Sequence, residues 1–191
     1  SHLKSIGKAN WRRCTPEMLR LMREARQEGV EIACDVYPYT AGSTQLVHVL
    51  PPETQQGGME ALTEHLADPA FRETLKARML TGSDFENISL LAGFENIVVS
   101  SVRLDGLRQY EGQSIAQIAE QQGKDPFTCL FDLLQAAHCD VTMIDFIAAE
   151  DDICDILRDA HSCVISDSTY PTTGMLHPRV YGTYTTLLEH F

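Results

Sequence analysis

Thr15-Pro16-Glu17-Met18-Leu19, running on to Gly29, and the Val30-Glu31-Ile32-Ala33-Cys34-Asp35-Val36-Tyr37 segment behind it together decide the fold class. Thr15 is a favoured N-cap type, and Pro16 suits the first helical position, where a backbone N–H is not needed. Met18, Leu19, Met22 and Ala25 recur at helical spacing, and Gly29 can take the left-handed conformation that stops a helix. Residues 30–37 read as a largely buried strand ended by Pro38. A helix leading straight into such a strand is half of an α/β repeat.

Working outward, Ala41-Gly42-Ser43-Thr44 reads as a small-residue turn, and Leu50-Pro51-Pro52 interrupts whatever follows it. Helices are predicted over 58–66 and 69–80, and a strand over 96–102. Ser114 caps a helix that Gly123 stops, and Asp125-Pro126 opens another running to about Ala137. A strand over 143–148 precedes a helix over 150–160, whose first turn holds Glu150, Asp151 and Asp152, where the helix dipole favours acids. Cys163-Val164-Ile165-Ser166 is an apolar strand that delivers Asp167. The result is an α/β chain with an irregular, largely helical middle.

With 191 residues, 43% hydrophobic and 22% charged, the chain has the composition of a soluble globular protein and enough length for a substantial core. A net charge of −12 argues against nucleic acid as a partner, since phosphate binding needs concentrated basic surface. Arg12, Arg13, Arg20, Arg23 and Arg26 do cluster, but Glu17, Glu24 and Glu28 are interleaved with them, as on a solvated helix face. No apolar run is long enough to span a membrane. Cys14, Cys34, Cys129, Cys139, Cys154 and Cys163 are scattered singly, without a CxxC pair, and read as buried thiols of a reducing cytoplasm. The opening Ser1-His2-Leu3-Lys4, with neither an initiator Met nor a leading element, points to a start inside a larger protein.

Four groups of residues can carry chemistry. Asp167 stands at the end of an apolar strand, where α/β folds present ligands, and Ser166, Ser168 and Thr169 lead on to a loop with Pro171 and Gly174. Such a carboxylate serves as a base or metal ligand, or simply caps the following turn. His2 and Lys4, two apart in an extended segment, point to one face, offering an imidazole for a metal and an ammonium for an anion. Taken alone, a His and a Lys near a terminus read as ordinary surface residues. Tyr37-Pro38-Tyr39-Thr40-Ala41-Gly42-Ser43-Thr44 gathers hydroxyls and small residues suited to binding a carboxylate or phosphate, or to making a turn. His177-Pro178-Arg179-Val180-Tyr181-Gly182-Thr183 follows closely, and Arg179 has the geometry for bidentate contact with a carboxylate; the alternative is a surface loop.

In their order, Ser1-His2-Leu3-Lys4, Asp35 through Thr44, Leu50-Pro51-Pro52, Tyr110-Glu111-Gly112-Gln113-Ser114, Asp125-Pro126, Ser166-Asp167 and His177-Pro178-Arg179-x-Tyr181-Gly182-Thr183 resemble the D-aminoacylase (N-acyl-D-amino-acid deacylase) family of the amidohydrolase superfamily. The resemblance implies the C-terminal part of a distorted (β/α)8 barrel, with residues 1–44 and 141–191 as barrel segments. Residues 45–140 would be an inserted lid that covers the substrate. It further implies zinc as cofactor, with His2 and Asp167 as metal ligands and Asp167 as the catalytic carboxylate. Lys4, Tyr37, Ser43 and Arg179 would hold the carboxylate of a small N-acyl amino acid. The family's His-x-His pair, bridging Cys and earlier barrel His belong upstream of His2, which implies a site short of ligands and a chain with little activity alone. A related amidohydrolase acting on another carboxylate-bearing amide, and a non-catalytic anion-binding module, remain alternatives. Exposed barrel edges imply self-association.

Overall fold

Helix α1 (Cys14–Gln27) forms where the apolar spacing places it, and its C-terminus is the expected glycine stop. Gly29 adopts φ +90°, and the Val30 N–H reaches back to the Ala25 carbonyl at 3.0 Å, closing a Schellman turn. Its start differs from expectation. Arg13, not Thr15, is the N-cap, and Thr15 lies fully buried inside the helix. A tertiary anchor overrides the local cap. The buried Asp152 accepts the Arg12 backbone N–H with both carboxylate oxygens at 3.0 Å, holding Arg12 at φ +59°. That contact draws the helix start forward by two residues.

The computed structural model describes residues 2–169 and 173–191, so Ser1 and Pro171 of the motifs above lie outside the described residues. After α1 come β1 (Cys34–Val36), β2 (Ala41–Gln45), α2 (Gly58–His65), α3 (Pro69–Thr81), α4 (Ile88–Ala92) and β3 (Ile97–Val102). Then follow α5 (Ile115–Gln122), α6 (Pro126–Ala136), β4 (Val141–Phe146), α7 (Glu150–Arg158), β5 (Ser162–Val164) and α8 (Arg179–His190). The chain divides into two compact units. One comprises Ser1–Gly42, Ile147–Thr172 and His177–Phe191; the other comprises Ser43–Phe146 and Thr173–Leu176.

In the first unit β1 pairs parallel with β5, Cys34 opposite Ser162 and Val36 opposite Val164. On the other side of β1, His2 bridges Asp35 in parallel, and the Leu3 N–H donates to the Asp35 carbonyl at 2.6 Å. Val36, Ile153 and Ile156 form a small core flanked by Leu3, Cys34 and Leu157, and α7 packs on α1. The strand expected over 30–37 is thus confined to its last part, because residues 30–33 have no ladder partner among the described residues. In the second unit β2, β4 and β3 form a three-stranded sheet, with β3 and β4 antiparallel. Ala41 to Thr44, expected as a turn, are therefore a strand: small side chains there accompany sheet pairing. Leu62, Met79, Ile97, Ile115, Leu130 and Leu134 are among the fully buried side chains of this unit. Ser114 caps α5 and Asp125 caps α6, as expected, and Gln117 completes a capping box with Ser114.

The cysteines are free, but only Cys129 and Cys139 are buried; Cys163 is exposed and the other three are half-buried, a departure from the uniformly buried thiols expected. Among the described residues no helix is long and apolar enough to cross a membrane.

Candidate active site

The parallel run of β1 and β5 means that their C-terminal ends emerge on the same side of the first unit. β1 hands the chain to Tyr37 and Tyr39, and β5 continues through Ile165, whose N–H donates to the Val36 carbonyl at 3.1 Å, to Asp167. Asp167 sits at φ +46°, a left-handed conformation that Asp tolerates better than most residues. Its Oδ2 is shared: His2 Nδ1 lies 3.1 Å away and Arg179 Nη1 donates to it at 3.3 Å.

Tyr37 is the floor of this cluster, with 1% of its surface exposed. The His2 ring leans on it at 4.9 Å between centroids, Lys4 Nζ stands 3.3 Å above the ring centre, and Arg179 Cζ lies 4.8 Å from it. Cations over an aromatic face gain electrostatic attraction from the ring quadrupole. Lys4 also donates to the Tyr39 carbonyl. The extended His2-Leu3-Lys4 segment thus presents both the imidazole and the ammonium to one ring.

His2 is held below its ordinary pKa, first by burial and next by the Lys4 cation, with Asp167 opposing them. It is therefore neutral near pH 7. A carboxylate only accepts hydrogen bonds, so Nδ1 carries the proton towards Asp167 and the Nε2 lone pair is available as a ligand.

Arg179 opens α8, so this stretch is helical and not the surface loop that was the alternative expectation. Arg179 is buried, with 7% exposure. The α8 start is fixed by His177, whose Nδ1 accepts the Arg179 backbone N–H at 3.0 Å and whose Nε2 meets the Ala41 carbonyl at 3.1 Å. Burial, reinforced by Arg179 and Lys4, pushes the His177 pKa down to about 4. The sequence places His177 in the motif without giving it a task; its position two residues before the candidate Arg179 is the available signal.

His2, Lys4, Tyr37, Asp167 and Arg179 are therefore brought together within the first unit. Ser43 lies in β2 and belongs to the second unit. Among the described residues no group of three or more His, Cys, Asp and Glu side chains is arranged to hold a metal ion. His2 and Asp167 supply two donors, whereas a catalytic zinc ordinarily has three protein ligands. The residues present do not fit a complete zinc centre.

No family model matches the chain. A curated N-acyl-D-glutamate deacylase of Alcaligenes xylosoxydans xylosoxydans is 24% identical over 191 residues, which is 100% of this chain and 29% of that protein. A crystal structure of N-acyl-D-glutamate deacylase from Bordetella bronchiseptica, complexed with zinc and a phosphonate mimic of the tetrahedral intermediate, matches with TM-score 0.64 and 24% identity. The match covers 98% of this chain and 29% of that one. A D-aminoacylase structure, in a study of its binuclear metal centre, matches with TM-score 0.64 and 23% identity, over 99% of this chain and 29% of that one. The chain therefore spans less than a third of the length of these relatives. It has an α/β fold similar to that of the D-aminoacylase structures and matches an N-acyl-D-glutamate deacylase along its whole length.

Proposed function

We propose that this chain carries the proton-transfer and substrate-carboxylate side of a zinc-dependent amidohydrolase that splits N-acyl-D-amino acids into a D-amino acid and a carboxylic acid. The observation that carries the reading is Asp167 Oδ2 held between His2 and Arg179 beside the Lys4–Tyr37 pair. Asp167 takes a proton from the attacking water and returns it to the leaving amine, the work of a general base that turns general acid. Arg179, whose Nη1 donates to Asp167, is assigned to the substrate carboxylate, for which a planar guanidinium is suited, with Lys4 as a second cation. Tyr37 supplies the platform that fixes both cations, and Ser43 is assigned a hydroxyl contact to the same carboxylate. His2 and Asp167 are assigned as two ligands of a zinc centre whose other ligands lie outside these 191 residues. On this reading residues 1–44 and 141–191 are segments of a (β/α)8 barrel and residues 45–140 a lid over the substrate.

The test is titration of the 191-residue chain with N-acetyl-D-alanine and its methyl ester, followed by NMR. The acid is expected to bind weakly, and esterification or Arg179→Met to weaken it about tenfold, as befits loss of a charge-assisted pair. Equal binding of acid and ester would sink the carboxylate-site reading. Zinc is expected to bind weakly and turnover to be negligible; stoichiometric tight zinc with turnover would show that the two-donor assignment is incomplete.

The absence of a third metal donor among the described residues favours one second reading, a non-catalytic anion site. It predicts that acetate binds as well as N-acetyl-D-alanine, because only the carboxylate is recognised.

A further inference from the structure

We propose that His177 is the positioning residue for Arg179, acting through its neutral Nε2–H tautomer; its functional part rests on the reading that Arg179 holds the substrate carboxylate. The geometry allows one assignment of the ring protons. The Arg179 backbone N–H can only donate, and it points at His177 Nδ1 at 3.0 Å, so Nδ1 is the acceptor. The Ala41 carbonyl can only accept, and it faces His177 Nε2 at 3.1 Å, so Nε2 carries the proton. One ring thereby ties the first N–H of α8 to the chain just past Tyr37 and Tyr39.

The rest of the surroundings enforce this state. His177 is 3% exposed, and its ring meets Tyr39 edge-on at 5.2 Å and Tyr37 edge-on at 6.1 Å. A second proton would have to sit on Nδ1, facing a donor already in place, within a buried ring near the Arg179 and Lys4 cations. The imidazole is thus a rigid strut with one donor and one acceptor. It sets where α8 begins relative to Tyr37, and hence where the Arg179 guanidinium lies over the Tyr37 ring and beside Asp167. Thr183, one turn on, bonds its hydroxyl to the Arg179 carbonyl at 2.9 Å but does nothing to fix the helix start. The strut therefore ties the start of α8 to the end of the Tyr37–Ala41 segment.

Two measurements on the ligand-free chain test the strut independently of any activity. Nitrogen-15 shifts of the His177 ring are expected to show Nε2 protonated and Nδ1 accepting, unchanged from pH 8 to pH 5. A ring protonated at Nδ1, or titrating near the ordinary histidine value, overturns the proposal. Arg179 Nε–H is then followed in three variants by its exchange protection. His177→Asn keeps an acceptor oxygen near the Nδ1 position and is expected to retain protection; His177→Gln keeps only the donor to Ala41 and is expected to lose it with His177→Ala. Retention in the Gln variant but not the Asn variant reverses the assigned roles and overturns it. N-acetyl-D-alanine affinity should follow the same order, about tenfold weaker in Ala and Gln than in Asn. Were the wild-type chain not to bind that acid at all, while the shifts and protection behaved as stated, the functional reading would fail and the strut would stand.

Discussion

Asp167 joins backbone and side chain in one residue. Its left-handed φ of +46° turns the carboxylate back to where His2 and Arg179 can share a single oxygen. His177 contributes at the same scale, and its burial makes a pH dependence. The unfolded chain takes up the His177 proton near 6.5, whereas the folded chain resists until about 4. Between those values the unfolded state binds more protons, so stability falls as pH drops through the window and changes no further, for this group, below it. At about 1.4 kcal/mol per pH unit the full loss is on the order of 3 kcal/mol. The groups facing the ring are the Tyr37 and Tyr39 rings, the Ala41 carbonyl and the Arg179 and Lys4 cations; the carbonyl favours a charged ring, but burial outweighs it and the two cations add to the burial. Denaturant melts from pH 7 to pH 4 should therefore steepen less in His177→Asn than in the wild type. Parallel curves would place the acid sensitivity in the carboxylates.

At the scale of elements, α8 shows where sequence signals and tertiary contacts part. Gly182 lies inside this helix, where alanine is ordinarily better by about 1 kcal/mol. A Cβ there would come within 2.8 Å of the Tyr39 hydroxyl, which is hydrogen-bonded to Thr186 at 2.9 Å. The one other neighbour within 4 Å is Thr186 Oγ1, at 3.7 Å. Gly182→Ala is thus expected to destabilise by about 1 kcal/mol, the value of a displaced hydrogen bond with some strain. In a Tyr39→Phe background the obstacle is gone, and the same substitution should be neutral or stabilising. A thermal-melt double-mutant cycle with no coupling would refute the contact. This helix was not legible beforehand because glycine, threonine, valine and tyrosine fill it, all weak helix formers, and its start depends on a histidine strut reaching Ala41. The same holds for β2, whose small residues look like a turn until its place beside β4 is seen. Ser114 with Gln117, Asp125 with Pro126, and Gly29 were legible because their signals are local. The residues gathered in the first unit are singled out in the sequence by the order of their motifs, not by any one of them. The position of Ser43 in the second unit has no local signature.

For the whole molecule, the balance between covered and uncovered apolar surface governs behaviour in solution. Tyr181, Tyr184, Leu188 and Phe191 are 80%, 60%, 86% and 44% exposed and fall on one face of α8 at alternating spacings of three and four, as along a coiled-coil seam. Glu189 is the one carboxylate in α8, in a chain whose net charge of −12 opposes approach of a second copy. The outer edge of β5, with Cys163 exposed, has no strand partner among the described residues and offers a second, shorter route to association. Burying an apolar side chain contributes about 1.5–3 kcal/mol. A few of them little more than offset the cost of association, so the contact should be weak, with self-association setting in around 0.1 mM on the usual affinity scale. Light scattering across a concentration series is expected to show rising mass for the wild type, strongly reduced in Leu188→Asp and little changed in Cys163→Lys. The reverse order would assign association to the β5 edge instead of α8. A mass that stays monomeric at millimolar concentration would remove both, and would mean that the uncovered seam is too narrow to overcome the repulsion of two acidic chains.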